Sequence, residues 1–296
     1  MLKKIALFTL VAITAFIVPK AQAHIAEINS MNEILPEIRQ DTLVLMDLDD
    51  TCITTVCMLG SSPCWDHFTK VLQSAQFDTW TTYGVIFPLV GKIIQSVPIK
   101  PIEDYTPHLI RSLQDQNIVV LSLTGRVKEA PYDPNFAFTT HSQLQKIGID
   151  FSQSPMPPGL NPQNPPKSFA YGIIFADHKL KGPVLKKFLE EIHYHPAKVV
   201  MVEDMISHLE SVEKSMNELD IPFTGFRYGR QDQVHAAFDP MIANLQLKAL
   251  LTQGYIPTDE QATLWKSELL KQKPYISHDF YLEEIIMNIK NNCSSQ

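Results

Sequence analysis

Residues 43–51 read LVLMDLDDT, an aliphatic run that breaks into Asp47, Asp49, Asp50 and Thr51. Carboxylates cost free energy to bury unless a cation or hydrogen bonds compensate. Acids crowded at the end of an apolar run therefore need a reason. Asp47 and Asp49, two residues apart, can converge on one cation and one substrate. Three other stretches carry polar loads at comparable places: NIVVLSLTGR reaches Thr124 and Gly125, KGPVLKKFLEEI starts with Lys181, and KVVMVED ends in Glu203 and Asp204. Each has a plainer reading when taken singly. These are an Asp-stabilised turn, a strand-to-loop exit, a solvated lysine before a helix, and acids at a helix N-terminus. A calcium loop of the EF-hand kind is excluded at the first stretch, because Cys52 stands where that loop needs glycine.

The elements that must position these residues can be read from periodicity and punctuation. Buried strands are predicted over 43–46, 117–125, 171–176 and 198–204, with a further strand over 221–228 and a short one near 149–151. Helices are predicted over 65–73, 87–94, 103–114, 136–146 and 181–192, with Pro183 in a first turn where its missing N–H costs nothing. SQSPMPPGLNPQNPPKS, residues 152–168, reads as an exposed loop. The end of the chain is helical. Asp239 caps a helix that has Pro240 first and Gly254 as its stop, Thr258 and Gln261 form a capping box, and Ser277 caps the last helix. Strands alternating with helices predict an α/β fold, a three-layer doubly wound, mostly parallel sheet. Ligands in such sheets gather outside the carboxyl ends of the strands, which brings Asp47, Thr124 and Asp204 to one rim.

The first 23 residues read as a signal peptide: Lys3 and Lys4, an apolar core of 14 residues, and Ala21-Gln22-Ala23 as a cleavage site. That core is shorter than the ~20 residues that span a bilayer. Cleavage would leave residues 24–296, exported to the periplasm or beyond, with no membrane attachment. The segment carries three lysines and no acids, so the net charge moves from −7 for the whole chain to −10. That balance argues against nucleic acid or an anionic membrane as a general partner. It leaves room for a phosphorylated substrate met by local cations. Of Cys52, Cys57, Cys64 and Cys293, the pair Cys57–Cys64 encloses a short segment and is the favoured disulfide.

The order DLDDT, LSLTGR, KG at a helix start and VVMVED resembles the four motifs of the haloacid dehalogenase superfamily, and in layout a secreted bacterial branch of unknown function. AAFDPMIANLQLKALL and IPTDEQA resemble that branch as well. The likeness spans most of residues 41–265. It implies an aspartyl-phosphate mechanism with Mg²⁺ as cofactor. Asp47 would be the nucleophile and Asp49 the acid and base. Thr124 and Gly125 would bind phosphoryl oxygens, and Lys181 would neutralise phosphate and orient Asp47. The metal would be held by Asp47, the backbone carbonyl of Asp49, and Asp204, with Glu203 as a neighbour. The chemistry agrees: a carboxylate is repelled by a phosphate dianion unless a cation stands between them.

The resemblance also implies a cap, placed in an insertion over 52–101, and leaves a helical C-terminal extension over 235–296. Trp65, Trp80, Tyr83 and Phe87 of the insertion read as its packed core or as a stacking surface for a substrate ring. The motif ED departs from the DD or GD of many relatives, and His208 stands where many carry Asp or Asn. Arg126 and Lys128 stand where they could meet an anionic substrate and His178 where it could touch one, though all three read more plainly as solvated. His193 and His195 read as loop residues far from the rim. The expected function is a Mg²⁺-dependent phosphatase acting on a phosphorylated small molecule or phosphoprotein. The alternatives are a binding or effector module that has lost turnover, and a broad-specificity exported acid phosphatase. Substrate and oligomeric state stay open.

Overall fold

A computed structural model describes residues 24–293, so the segment read as a signal peptide lies outside the described residues. In chain order the first half contains β1 (His24–Ile28), β2 (Thr42–Met46), β3 (Ile53–Thr55), α1 (Ser62–Ala75), α2 (Thr79–Thr81), α3 (Phe87–Ser96), β4 (Ile99–Pro101), α4 (Thr106–Asp115), β5 (Val119–Thr124) and α5 (Phe136–Lys146). There follow β6 (Phe169–Ala170), β7 (Ile173–Phe175), α6 (Lys181–Glu191), β8 (Lys198–Glu203), α7 (Ile206–Glu218) and β9 (Phe223–Tyr228). Four helices close the chain: α8 (Asp232–Ala236), α9 (Pro240–Gln253), α10 (Asp259–Gln272) and α11 (Phe280–Cys293).

Seven strands form one sheet in the order β1-β9-β8-β2-β5-β7-β6, parallel except for the β6–β7 hairpin. Successive side chains on a strand point to opposite faces, and β2 shows the consequence. Val44 and Met46 join Val120, Val200 and Val202 in a core covered by α4 and α5. Leu43 and Leu45 join Leu121, Leu123 and Met201 in a second core covered by α6 and α7. Both faces of β2 are thus dry, which is why its sequence is a continuous apolar run rather than an alternating one. From β2 the chain builds outward through β5 and β7, then returns to the other flank for β8 and β9. The reversal beside β2 is the topological switch point, where open sheets leave a crevice at their carboxyl edge.

Residues 56–98 leave the sheet through an antiparallel ribbon, β3 on β4, with Ile53 opposite Pro101. This is the segment read above as the insertion over 52–101. Its core is not its own, however. Leu59, Cys64, Phe68 and Ile93 pack with Leu247 and Leu250 of α9 and with Leu282 and Ile286 of α11. Gln246, fully buried in α9, accepts from the Leu59 N–H (2.8 Å) and donates to Asp259 (2.8 Å), which also accepts from the Met58 N–H (2.9 Å). The insertion and the C-terminal helices are one packed unit.

Other predictions meet the structure in detail. The Asp239 side chain accepts from the Met241 and Ile242 amides, Gly254 has φ +74°, and the Thr258–Gln261 capping box forms as read. Ser277 Oγ accepts from the Asp279 N–H (3.1 Å) just ahead of α11. The strand expected near 149–151 is instead a 3₁₀ turn over Phe151–Gln153, nucleated by the Asp150 side chain accepting from the Ser152 N–H. Ile149 and Phe151 are both buried, which imitates a strand's alternation. The predicted strand over 171–176 is shortened by a hairpin turn, Tyr171-Gly172, in which both residues have positive φ. Such turns match the twist of the flanking strands. Cys57 and Cys64 are both buried free thiols, so the favoured disulfide is not formed, and burial raises each to a pKa of about 12. The side chains of Cys293 and Trp80 lie outside what is described. Among the described residues no helix is long and apolar enough to cross a membrane.

Candidate active site

Three of the four polar strand and helix ends meet in direct contact, and the fourth, at Thr124, closes the strand paired with β2. Asp47 follows β2, and its N–H continues the ladder to the Val202 carbonyl (3.1 Å). Glu203 is the last residue of β8, and Lys181 the first of α6. The Lys181 ammonium is 1% exposed and donates to Asp47 Oδ1 and to Glu203 Oε2, at 2.5 Å each. Gly182 explains how α6 brings the lysine so close. A Cβ there would stand 2.0 Å from the Ser211 carbonyl oxygen, so only glycine lets α6 pack this tightly on α7. Thr124, ending β5, is buried with its hydroxyl accepting from the Arg126 N–H (3.2 Å). A Cβ built on Gly125 would meet nothing within 4 Å. Open space therefore lies beside that backbone.

Asp47, Glu203 and Asp204 can each place a carboxylate oxygen within 4.8 Å of the others. With one ammonium among three carboxylates, the pocket carries two excess negative charges when all are ionised. Burial first, opposed by Lys181, pushes Asp47 up to about 7. Burial and then the neighbouring Asp47 raise Glu203 well above the carboxylate range, and burial raises Asp204. Burial opposes the charge on Lys181, but Asp47 and Glu203 outweigh it and keep the lysine above its ordinary value. A hard divalent cation fits such a set of oxygens, and Mg²⁺ is the small member of that class. Glu203, expected only as a neighbour, is a full member of the cluster.

Asp49 departs from its expected setting. Its carboxylate is turned from the acidic cluster to Arg126, which donates from Nε to one oxygen and from Nη2 to the other, both at 2.7 Å. Burial alone would raise Asp49, but the guanidinium overrides it and holds the group below its ordinary value. Arg126 is thus a partner of the site and not the solvated loop residue predicted. Lys128 is half-buried, with Nζ on the Lys167 carbonyl (3.0 Å). His178, His193 and His195 are exposed. His208, half-buried on α7, is pushed down to about 4 by burial and by Lys181, so it is neutral near pH 7.

The remaining residues of the first motif are structural. The Leu48 carbonyl accepts from the amides of Thr51, Cys52 and Ile53, which curls the chain into a tight turn. Asp50 sits at φ +61°, a conformation that Asp tolerates better than most residues. Its buried carboxylate meets the Ser62 hydroxyl at the foot of α1, and its Oδ1 lies 3.1 Å from His235 Nε2. The Thr51 hydroxyl accepts from the Asp204 N–H (3.1 Å), tying the first motif to the fourth. Cys52 is buried beside them as a thiol, and burial and then Asp47 raise it far above the thiol range.

Comparison with known proteins adds relatives but no chemistry. A protein of Chlamydia trachomatis serovar D, provisionally named an outer membrane protein, is 26% identical over 267 residues, covering 89% of this chain and 98% of its own. An uncharacterized protein of Rickettsia prowazekii is 25% identical over 79% of this chain and 86% of its own. A Chlamydia pneumoniae protein with the same provisional outer-membrane name is 25% identical over 76% and 85%. The profile of a family described as "Protein of unknown function (DUF2608)" matches residues 23–262. No solved structure matches.

Proposed function

The chain belongs to that DUF2608 family, whose description names no activity, and from the site itself we propose that it is an exported, Mg²⁺-dependent phosphomonoester hydrolase of the haloacid dehalogenase type. The observation that carries this is the meeting of Asp47, Lys181 and Glu203 at the switch point of the sheet, with Thr124 on the neighbouring strand. Structural ion pairs balance their charges. With Asp204 counted, this one leaves two carboxylates over, at the edge where such sheets bind ligands.

In this reading Asp47, Glu203 and Asp204 hold the cation, which supplies the positive charge that lets a carboxylate approach a phosphate dianion. Asp47 attacks phosphorus, forming a P–O bond to its carboxylate as the bond to the leaving alcohol breaks. Lys181 keeps Asp47 aimed and neutralises charge on the phosphoryl oxygens. The Thr124 hydroxyl and the open backbone at Gly125 receive those oxygens. Asp49, once protonated from solvent, gives that proton to the departing alkoxide. It then takes one from the water whose oxygen bonds to phosphorus as the P–O bond to Asp47 breaks, which frees the Asp47 carboxylate and leaves Asp49 an acid again. Export follows from the reading of residues 1–23, and the outer-membrane names of the chlamydial relatives agree with it.

A phosphoryl-binding module with little turnover is the second reading. One observation favours it: both oxygens of Asp49 are already occupied by Arg126. Hydrolysis of an aryl phosphate by the mature chain, with Mg²⁺ and with EDTA, separates the two. The hydrolase reading expects turnover that needs Mg²⁺ and is lost in Asp47→Asn. Full activity in that variant would refute the nucleophile.

A further inference from the structure

Lys181 is engaged twice over by buried carboxylates, so its charge is shared between them and any phosphoryl oxygens, and a further side-chain cation at the rim would add to the hold on those oxygens. Arg126 stands one residue beyond the open backbone of Gly125, and its N–H is tethered to the Thr124 hydroxyl (3.2 Å). Its guanidinium is spent on Asp49, a carboxylate whose side chain is 47% exposed, while that of Arg126 is 15% exposed. The pair therefore has a dry side and a wet side. On the dry side, α5 backs the fork with only long contacts, to Thr140 Oγ1 at 3.4 Å and Gln143 Oε1 at 3.5 Å. On the wet side, Asp49 holds it with two short ones. A guanidinium fork fits carboxylate and phosphate alike, and a dianion competes well with a monoanion for it.

Resting on the phosphoryl reading above, we infer that Arg126 is an exchange residue: in the free protein its fork holds Asp49, and an arriving phosphoryl group takes the fork and releases that carboxylate. The acid-base group is then set free by the substrate itself, and away from the guanidinium its carboxylate can take up from solvent the proton it has to carry. No bond is made or broken in this step other than hydrogen bonds. Two parallel charge-assisted bonds pass from one oxyanion to another.

The exchange has an unusual signature, because removing a residue of the site should tighten binding. Inorganic phosphate, titrated calorimetrically into the mature chain with Mg²⁺ present, should bind Asp49→Asn about tenfold more tightly than wild type. That corresponds to one lost competitor for a charge-assisted pair. Arg126→Ala should bind about tenfold more weakly, and Arg126→Lys should recover part of the loss as a point charge without the fork. The double variant Asp49→Asn with Arg126→Ala decides the matter. If the carboxylate competes for the fork, the gain from Asp49→Asn vanishes without the arginine. If Asp49 merely repels phosphate, the gain persists in the double variant and the inference falls. No gain in the single variant overturns it equally, as does wild-type protein that does not bind phosphate at all. Aryl phosphate turnover by wild type, run alongside, tells the two readings apart. Turnover without coupling removes only the exchange, and coupling without turnover removes only the hydrolase.

Discussion

Replacing Asp47 with asparagine should stabilise the protein while abolishing its proposed turnover. The pocket around Asp47 moves its carboxyl from the 3.8 of a free aspartate to about 7, after the favourable pull of Lys181 has been counted. Three units at 1.36 kcal/mol each mean that the ionised form is disfavoured by about 4 kcal/mol in the metal-free protein. The sign follows directly. A group whose folded pKa is raised contributes its full stability below the unfolded value and loses it as pH rises through the folded one. At pH 8 the wild-type protein therefore carries the whole penalty. Asparagine keeps the shape and an oxygen for Lys181 but no charge. Allowing for a weaker bond to the ammonium, a net gain of about 2 kcal/mol remains. For a chain of this size that corresponds to a rise in Tm of about 4–8 °C. Thermal unfolding in EDTA at pH 8 measures it, and at pH 5, where wild-type Asp47 is protonated, the gain should shrink. Mg²⁺ should stabilise wild type more than the variant. An Asp47→Asn protein that melts below wild type at pH 8 would show that the carboxylate is glue for Lys181. The charge argument for a cation site would then fail.

Lys181→Met removes the one cation from two buried acids and a half-buried third, and breaking a buried pair from one side costs about 3–5 kcal/mol. Urea unfolding at pH 8 should show that loss, reduced at pH 5 where the acids can take up protons. Gly182→Ala should lower Tm, because the new methyl stands 2.0 Å from the Ser211 carbonyl oxygen, and Ser211→Gly should fail to rescue it since the clash is with backbone. His235 is held above its ordinary value of 6.5 chiefly by its bond to Asp50. Its stabilising share is full below pH 6.5 and lost as pH rises through the higher folded value, so the Tm difference between wild type and His235→Gln should be larger at pH 6 than at pH 9.

How much of this could be read in the sequence depended on how local the cause was. Asp47, Thr124 and Glu203-Asp204 are legible because each is a polar break straight after a dry strand, whereas Lys181-Gly182 is a plain helix start when taken alone and is legible only through the order of the four motifs. The caps at Asp239 and Thr258 are legible for the same reason, since their partners lie within three residues. Arg126 was missed because its partner lies 77 residues away and nothing near it announces the pairing. Glu203 carried a readable signal, an acid as the last residue of a strand with dry neighbours, and it was underweighted. β1 has the burial of an edge strand and no clear alternation. It is a strand because β9 offers it a register, His24 opposite Thr224.

The least local feature is the core that the insertion shares with the C-terminal helices, and it bears on the site. Asp50 lies within the same turn as Asp47 and Asp49 and fastens both partners, through Ser62 of α1 and His235 of α8. Whatever loosens α9 should then loosen the insertion, although no peptide bond near the site has changed. Leu247 tests this. It is fully buried against the insertion, and truncation to alanine at such a site costs about 2–5 kcal/mol. If the two parts are one unit, brief proteolysis of Leu247→Ala under native conditions should open residues 56–98 as fast as α9–α11, while the sheet stays protected. The insertion brings Leu59, Phe68 and Ile93 to the shared cluster, and lifting α9 uncovers them by removing Leu247 and Leu250 from the other side. Cleavage confined to the C-terminal helices, with 56–98 as resistant as in wild type, would show that the insertion folds independently. The C-terminal helices would then be only an appendage to the site.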